Sequence, residues 1–323
     1  MTVRSWSWRT ALHWALWACV LGAAAVVISI GFGWAWTPLL VAAQGVFPLV
    51  ALVAVVAVAL TLRTHQRALA VVGLVVVVAS VLIVAPTVHS QPLPGWSSGA
   101  THITVYSSNL LRRNETPERA IETAVASDAD VIVLTEFTAG FDPILERSGL
   151  LANYPTVVRD DPGDGTLLLT RLPTLRTAVI DEAGFTLPTA TVRIGSGEVL
   201  LIGVHTQAPN RFGVLDRWQQ DLTDVAAAAD GHSSVIAIGD FNSTLWSPPF
   251  RDLLDRGFTD AHEATGNGLA RTWGPTLDNL ETSPAVLGID HALSRGDVAP
   301  LTINEIEVPG SDHRAIQVTY AVR

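Results

Sequence analysis

Residues 235–242 read Val-Ile-Ala-Ile-Gly-Asp-Phe-Asn. A short apolar run with no polar position to turn toward water predicts a strand covered on both faces. The Gly-Asp-Phe-Asn that closes it places a carboxylate (Asp240) and an amide (Asn242) where strand gives way to loop. The pattern recurs outward in both directions. Val131-Ile132-Val133-Leu134-Thr135 ends on Glu136, and Leu200-Leu201-Ile202-Gly203-Val204 ends on His205. Asn109 follows an apolar-alternating stretch at 102–107, Asp290 and His291 sit in Gly288-Ile289-Asp290-His291, and Asp312-His313 precede a last apolar stretch. Taken singly, each reads as a turn or a cap. Together, at strand ends where open sheets hold their ligands, they predict one convergent site.

The intervening sequence alternates the two periodicities. Further strands are expected at 154–158, 166–170, 176–181, 189–194, 301–308 and 314–321, with Asp290 and His291 inside one at 288–294. Helices are expected at 116–127 behind a Thr-Pro start, at 211–229, and at 248–256 opened by Pro. This mixture over residues 101–323 predicts an α/β domain of two packed sheets covered by helices.

Upstream the chain changes character. Hydrophobic residues make up 49% of the 323 and charged residues 15%, against roughly 25% charged in a soluble domain, which excludes disorder and an ordinary cytosolic enzyme. Residues 10–62 and 68–111 carry no charge, and the first acid is Glu115. A membrane-spanning helix needs about 20 apolar residues, so three N-terminal transmembrane helices are expected, near 11–31, 38–62 and 68–86. A signal peptide would explain only the first. The expected organisation is a three-helix anchor at 1–86, a Pro/Gly/Ser-containing tether at 87–100, and the domain at 101–323. Arg4 and Arg9 precede the first span and Arg63 and Arg67 lie between the second and third. Positive loops stay inside, which predicts a multi-pass cell-membrane protein with a cytoplasmic N-terminus and the domain outside. Trp6, Trp8, Trp14, Trp17, Trp34 and Trp36 read as interfacial anchors. The single cysteine, Cys19, falls in the first span, so the domain must hold together without disulfides. All 20 basic residues are Arg; with the abundance of Ala and Val this points to a GC-rich bacterial genome.

Asn109, Thr135-Glu136, Val204-His205-Thr206, Gly239-Asp240-Phe241-Asn242, Ile289-Asp290-His291 and Ser311-Asp312-His313-Arg314, in that order, resemble the endonuclease/exonuclease/phosphatase superfamily, whose members include DNase I. Thr170-Arg171-Leu172-Pro173 and Thr272-Trp273 are lesser matches. The resemblance implies a four-layered α/β sandwich and metal-dependent cleavage of phosphate esters. By resemblance Glu136 binds the metal with Asn109 beside it and Asp312 nearby, Asp240 orients or deprotonates water, and Asn242 holds a phosphate oxygen. His313, oriented by Asp290, stabilises the pentacovalent phosphate or acts as acid/base, and His205 contacts the phosphate from the opposite side. Oxygen ligands favour Mg²⁺, with Mn²⁺ or Ca²⁺ as alternatives. Many nucleases of the superfamily carry an acid two residues after the first Asn; here that position is Leu111.

The segment 87–323 has 16 Arg against 30 acids, a net −14. Nucleic-acid binders normally show a basic face, so a lipid headgroup or envelope phosphodiester is the favoured substrate. Extracellular nucleic acid, met by Arg112, Arg113, Arg171, Arg211 and Arg271, is the competitor. A non-catalytic binding domain is a second class of reading, opposed by the intact set of site residues. A transporter is a third, for which the spans are too few.

Overall fold

The architecture is that of a computed structural model in which residues 8–159, 164–182, 185–275 and 284–323 are described; Arg4 and Trp6 lie outside them. Four helices open the chain: α1 (Trp8–Gly31), α2 (Pro38–Gly45), α3 (Phe47–Arg63) and α4 (Arg67–Val84). There follow β1 (Thr101–Asn109), α5 (Pro117–Ala126), β2 (Val131–Thr138), α6 (Asp142–Arg147), α7 (Leu150–Asn153), β3 (Thr156–Arg159), β4 (Asp164–Thr170), β5 (Thr174–Glu182), β6 (Phe185–Ile194) and β7 (Gly197–His205). The chain closes with α8 (Leu215–Ala228), β8 (Val235–Asp240), α9 (Pro248–Leu254), β9 (Thr259–Asp260), α10 (Ala261–Ala264), β10 (Asp290–Arg295), β11 (Val298–Glu307) and β12 (Arg314–Val322).

The strands form two six-stranded mixed sheets, β11-β12-β1-β2-β4-β3 and β5-β6-β7-β8-β10-β9. Val105, Val133, Leu168, Leu201, Ile236 and Ile238 pack between them. The opposite faces are covered as well. Ile132, Leu134 and Leu169 meet Ile121 of α5 and Leu145 of α6, while Ile202, Val204 and Ala237 meet Trp218 and Leu222 of α8 and Phe250 of α9. Two packed sheets between helical layers account for the unbroken apolar runs, since successive side chains enter different cores. Within each sheet the central pair, β1–β2 and β7–β8, is parallel. The carboxyl ends of those four strands, and the starts of antiparallel β10 and β12, lie at one end of the sandwich.

The N-terminal region departs from the expected three spans. Among the described residues, α1 and the helix continuing α4 to Val88 are each long and apolar enough to cross a membrane; α2 and α3 make a third if they are one bent unit, their axes meeting at 76°. The break falls where Gly45 is followed by Pro48, whose ring nitrogen cannot donate to the Gln44 carbonyl. Gln44 fixes the bend by donating from Nε2 to Ser29 Oγ at 2.9 Å and to the Trp34 carbonyl at 2.7 Å. Leu16 and Val20 of α1 meet Ala57 and Leu69, and further along Ala23 meets Ala54 and Val76. Hence α1 and α4 run alike and α3 runs against them. Gly73 allows the close approach of α3: a Cβ there would stand 2.5 Å from Val58 Cγ2. Arg9, Arg63 and Arg67 gather at one end of this bundle. At the other, Val26, Ala35, Val41 and Phe47 join the α8–α9 core, with the Phe47 and Trp246 rings 5.9 Å apart. Residues 87–100 are laid along the domain: the Thr87 carbonyl accepts from Gly268 N at 2.9 Å, and Gln91 N donates to the Ala264 carbonyl at 2.8 Å.

Candidate active site

Asp240 is the hub. It ends β8 in register with His205 of β7 on one side and Asp290 of β10 on the other. Gly239 lets β7 and β8 approach here, since a Cβ would stand 1.9 Å from the Val204 carbonyl oxygen. Asp240 Oδ1 accepts from Asn242 N at 2.8 Å, and Oδ2 accepts from Asn109 Nδ2 at 3.1 Å. His313 Nε2 lies 3.7 Å and His205 Nε2 3.9 Å from that same Oδ2. His313 Nδ1 pairs with Asp290 Oδ2 at 2.9 Å, which fixes the ring and its tautomer. The turn before β12 is tied to the end of the neighbouring strand β1: Ser311 Oγ donates to the Asn109 carbonyl at 2.7 Å and accepts from His313 N at 3.0 Å.

Glu136 occupies a β-bulge. The register of β2 against β4 shifts between Leu134 and Phe137, and Glu136 has φ +53°. Its Oε2 accepts from Arg112 N at 2.9 Å and its Oε1 from Asn109 Nδ2 at 3.3 Å. Leu111 (φ +58°) and Asn242 (φ +46°) are also left-handed, so unfavourable backbone is concentrated around this site, as it commonly is at functional centres. Asp312 accepts from Trp273 Nε1 at 3.1 Å. Thr272 Oγ1 accepts from the amides of Ile289 and Asp290, steadying the start of β10.

Burial sets the charges. Desolvation raises the Asp240 carboxyl to about 7, against the attraction of His313. Burial alone would lower His313, but Asp290 and Asp240 outweigh it and raise the imidazole to about 10. His205, buried with less compensation, falls to about 4 and is neutral at pH 7. Burial would raise Glu136, yet the Arg112 amide, His205 and the Asn109 amide together hold it below the usual carboxylate range. Desolvation raises Asp312. The result is a cationic imidazole facing a carboxyl poised near neutrality, the separation of roles that acid–base catalysis requires.

All eight residues predicted for the site therefore gather at one end of the sandwich. Three details differ. Asn109 turns its Nδ2 to the two carboxylates while its Oδ1 accepts from Leu111 N, so in this orientation it braces the acids. Arg171 is engaged by Asp128 and Asp130 at 2.6 and 2.9 Å and is withdrawn from any phosphate patch. Asp290 and His291 part company by strand alternation: His291 points inward to Asp260 at 2.8 Å and to the Ser243 carbonyl at 2.9 Å. The bracing roles of Ser311 and Thr272 went unread, because hydroxyls beside a motif carry no periodic signal.

Among the described residues, two groups of acids and histidines bring their donor atoms within 4.8 Å of one another, Asp240/Asp290/His313 and Asp260/His262/His291. The donors suit a hard divalent cation: the Glu136 oxygens, which accept from the Asn109 and Arg112 N–H groups, carry further lone pairs, and no thiolate is near. Such an ion would be held by Glu136 with Asp312 close by, and would supply charge neutralisation at phosphorus.

Paired carboxylates and an Asp-oriented imidazole at the open end of this sandwich define a metal-dependent phosphoester hydrolase. Residues 105–313 match the Endonuclease/Exonuclease/phosphatase family, and the chain belongs to that family. Among solved structures, D. rerio TDP2 complexed with single-strand DNA product is 18% identical, with 69% of this chain and 100% of that one covered at a TM-score of 0.58. The 3′ phosphatase NExo from Neisseria bound to a product DNA hairpin is 19% identical, covering 67% and 98% at 0.52. A family protein from Bacteroides thetaiotaomicron is 15% identical, covering 69% and 99% at 0.54. At these identities the likeness is one of fold. No curated protein sequence matches the chain.

Proposed function

We propose that the protein is a membrane-anchored, Mg²⁺-dependent phosphoesterase acting on a lipid headgroup or another envelope phosphodiester outside the cytoplasmic membrane. The observation that carries this reading is the docking of the apolar helices on the catalytic domain, beside the open end of the sandwich. Leu21, Ile28, Leu52, Val56, Val75 and Leu82 face outward from these helices, an exterior suited to hydrocarbon. Arg9, Arg63 and Arg67 at the far end support an orientation with that end in the cytoplasm and the domain outside.

In the proposed reaction Asp240, deprotonated, takes a proton from water as its oxygen bonds to phosphorus. The P–O bond to the leaving alcohol breaks, and the alkoxide takes a proton from His313. A diester thus yields a phosphomonoester and an alcohol. Asp290 holds His313 in its cationic form, a second N–H of Asn242 binds a phosphate oxygen, and neutral His205 hydrogen-bonds the opposite side. Glu136, Asn109 and Asp312 would hold the metal, which would supply charge neutralisation at the phosphate; Asn109 would do so through its amide oxygen.

The D. rerio and Neisseria neighbours are bound to DNA products, and extracellular nucleic acid is the competing substrate. The net −14 of residues 87–323 and the neutralisation of Arg171 favour the lipid-borne ester. The test is hydrolysis by the full-length chain, with Mg²⁺ or Mn²⁺, of bis-p-nitrophenyl phosphate, phospholipid vesicles and plasmid DNA, alongside Asp240→Ala. Metal-dependent turnover of the soluble ester and the phospholipid, lost in the variant, is expected. Turnover of DNA alone would overturn the substrate assignment. A reporter fused after Arg323 that works only in the cytoplasm would overturn the orientation.

A further inference from the structure

Between α2 and the rim of the active site runs a cleft of about 510 Å³, within the usual size of small-ligand sites. One wall is Val41, Ala42 and Gly45 of α2; the other includes Leu287, Trp273 and Asn242. Two of these residues bond the site acids directly: Asn242 N donates to Asp240 Oδ1 and Trp273 Nε1 donates to Asp312 Oδ2. The cleft therefore opens onto the reacting centre, and its lining is chiefly apolar. Its α2 wall continues into the apolar exterior of the helices, where Leu39 is 82% and Leu49 59% exposed, and the turn that leads into α2 carries a stack of Phe32, Trp34 and Trp36. A helix belonging to the apolar N-terminal region thus forms part of the substrate path.

We infer that this cleft takes the hydrocarbon chain of an amphiphilic phosphate ester, seating the chain against α2 while the phosphate reaches Asp240 and His313. The inference rests on the phosphoesterase reading above and narrows it to substrates whose apolar tail is held by the enzyme itself. Gly45 keeps the two walls apart, since a Cβ there would already reach van der Waals contact with Leu287 and Thr244 on the opposite side. Ala42, exposed on the same helix, can carry a larger side chain into the space without disturbing the core.

The test uses the full-length chain in amphipol and a series of p-nitrophenyl alkyl phosphates from methyl to octyl, each below its micellar concentration. Each methylene that enters the cleft is expected to raise kcat/KM roughly fourfold until the space is filled. Ala42→Trp is expected to lower the octyl-to-methyl ratio of kcat/KM by about tenfold or more. In parallel, a decylphosphonate bearing a terminal diazirine is expected to label α2 on irradiation. Equal rates across the series, an equal effect of Ala42→Trp on methyl and octyl esters, or labelling confined to other segments would overturn the inference. Loss of the chain-length dependence with turnover retained leaves the phosphoesterase reading standing. No turnover of any ester removes that reading, and the photolabel then decides the cleft independently.

Discussion

Asp240 and His313 have opposite protonation needs, and their surroundings supply both. The carboxyl is raised to about 7 by burial, so activity should climb as pH passes through that value and the base becomes available. His313, raised to about 10 chiefly by Asp290, serves while protonated, so activity should decline near that pH. Asp290→Asn is expected to draw the alkaline limb of kcat/KM downward, and the acid limb downward as well because Asp290 also raises Asp240, read from a pH profile on bis-p-nitrophenyl phosphate. Asp240→Asn removes the base and should cost about 10²–10⁴ in kcat. Behind the site, His291 and Asp260 form a buried pair. Despite the burial that opposes it, Asp260 raises His291, and His291 lowers Asp260. A raised histidine contributes stability in full below its unfolded value, about 6.5, and loses it as pH rises through the folded value. The lowered carboxyl contributes above about 3.9 and loses it on acidification. The pair thus stabilises most between those limits. The fall in Tm between pH 6.5 and 8.5, followed by tryptophan fluorescence, should be shallower in His291→Gln than in the wild type.

At the scale of elements, β7 and β8 meet closely only because residue 239 has no side chain. Gly239→Ala is expected to destabilise the protein by about 3 kcal/mol or more, measured by chemical denaturation, and to reduce turnover by moving Asp240. These central strands were legible in the sequence because a run apolar on both faces has few other readings, and the strand expectations over 102–107, 234–239 and 314–321 lie within β1, β8 and β12 but for one residue at 234. The site was legible for the same reason, since its residues close those runs. Other elements were not. The helix expected over 211–229 starts at Leu215, behind a 3₁₀ turn at Phe212–Val214. Helices α6, α7 and α10 are too short for periodicity to reveal. The bend between α2 and α3 depends on Gln44 finding Ser29 and Trp34, a tertiary contact that hydropathy does not contain. Arg171 looked available for phosphate because its partners, Asp128 and Asp130, lie 43 and 41 residues away in sequence.

The whole molecule is less divisible than an anchor joined to an enzyme. Phe47 is wholly buried beside Trp246, and the segment after α4 hydrogen-bonds to the domain at Thr87 and Gln91. Removing residues 1–86 would bare the apolar socket formed by Leu187, Trp218, Trp246 and Phe250. The fragment is expected to show a lower Tm than the full chain and to self-associate, read by calorimetry and by light scattering on a sizing column. A monomeric fragment of unchanged Tm would show that the helices contribute nothing to the fold of the domain.

The bulge in β2 has a consequence for insertions and deletions. Leu134 and Phe137 are three residues apart, yet both belong to the core beneath α5 and α6, which regular alternation would forbid. One surplus residue resets the parity of the strand, and that surplus carries Glu136, the side chain proposed above to hold the metal. Deleting it would restore an uninterrupted ladder to β4 and relieve a left-handed backbone. The shortened protein should be inert toward phosphate esters and no less stable than its parent. At this position, on the proposed role of Glu136, the demands of folding and of chemistry oppose each other.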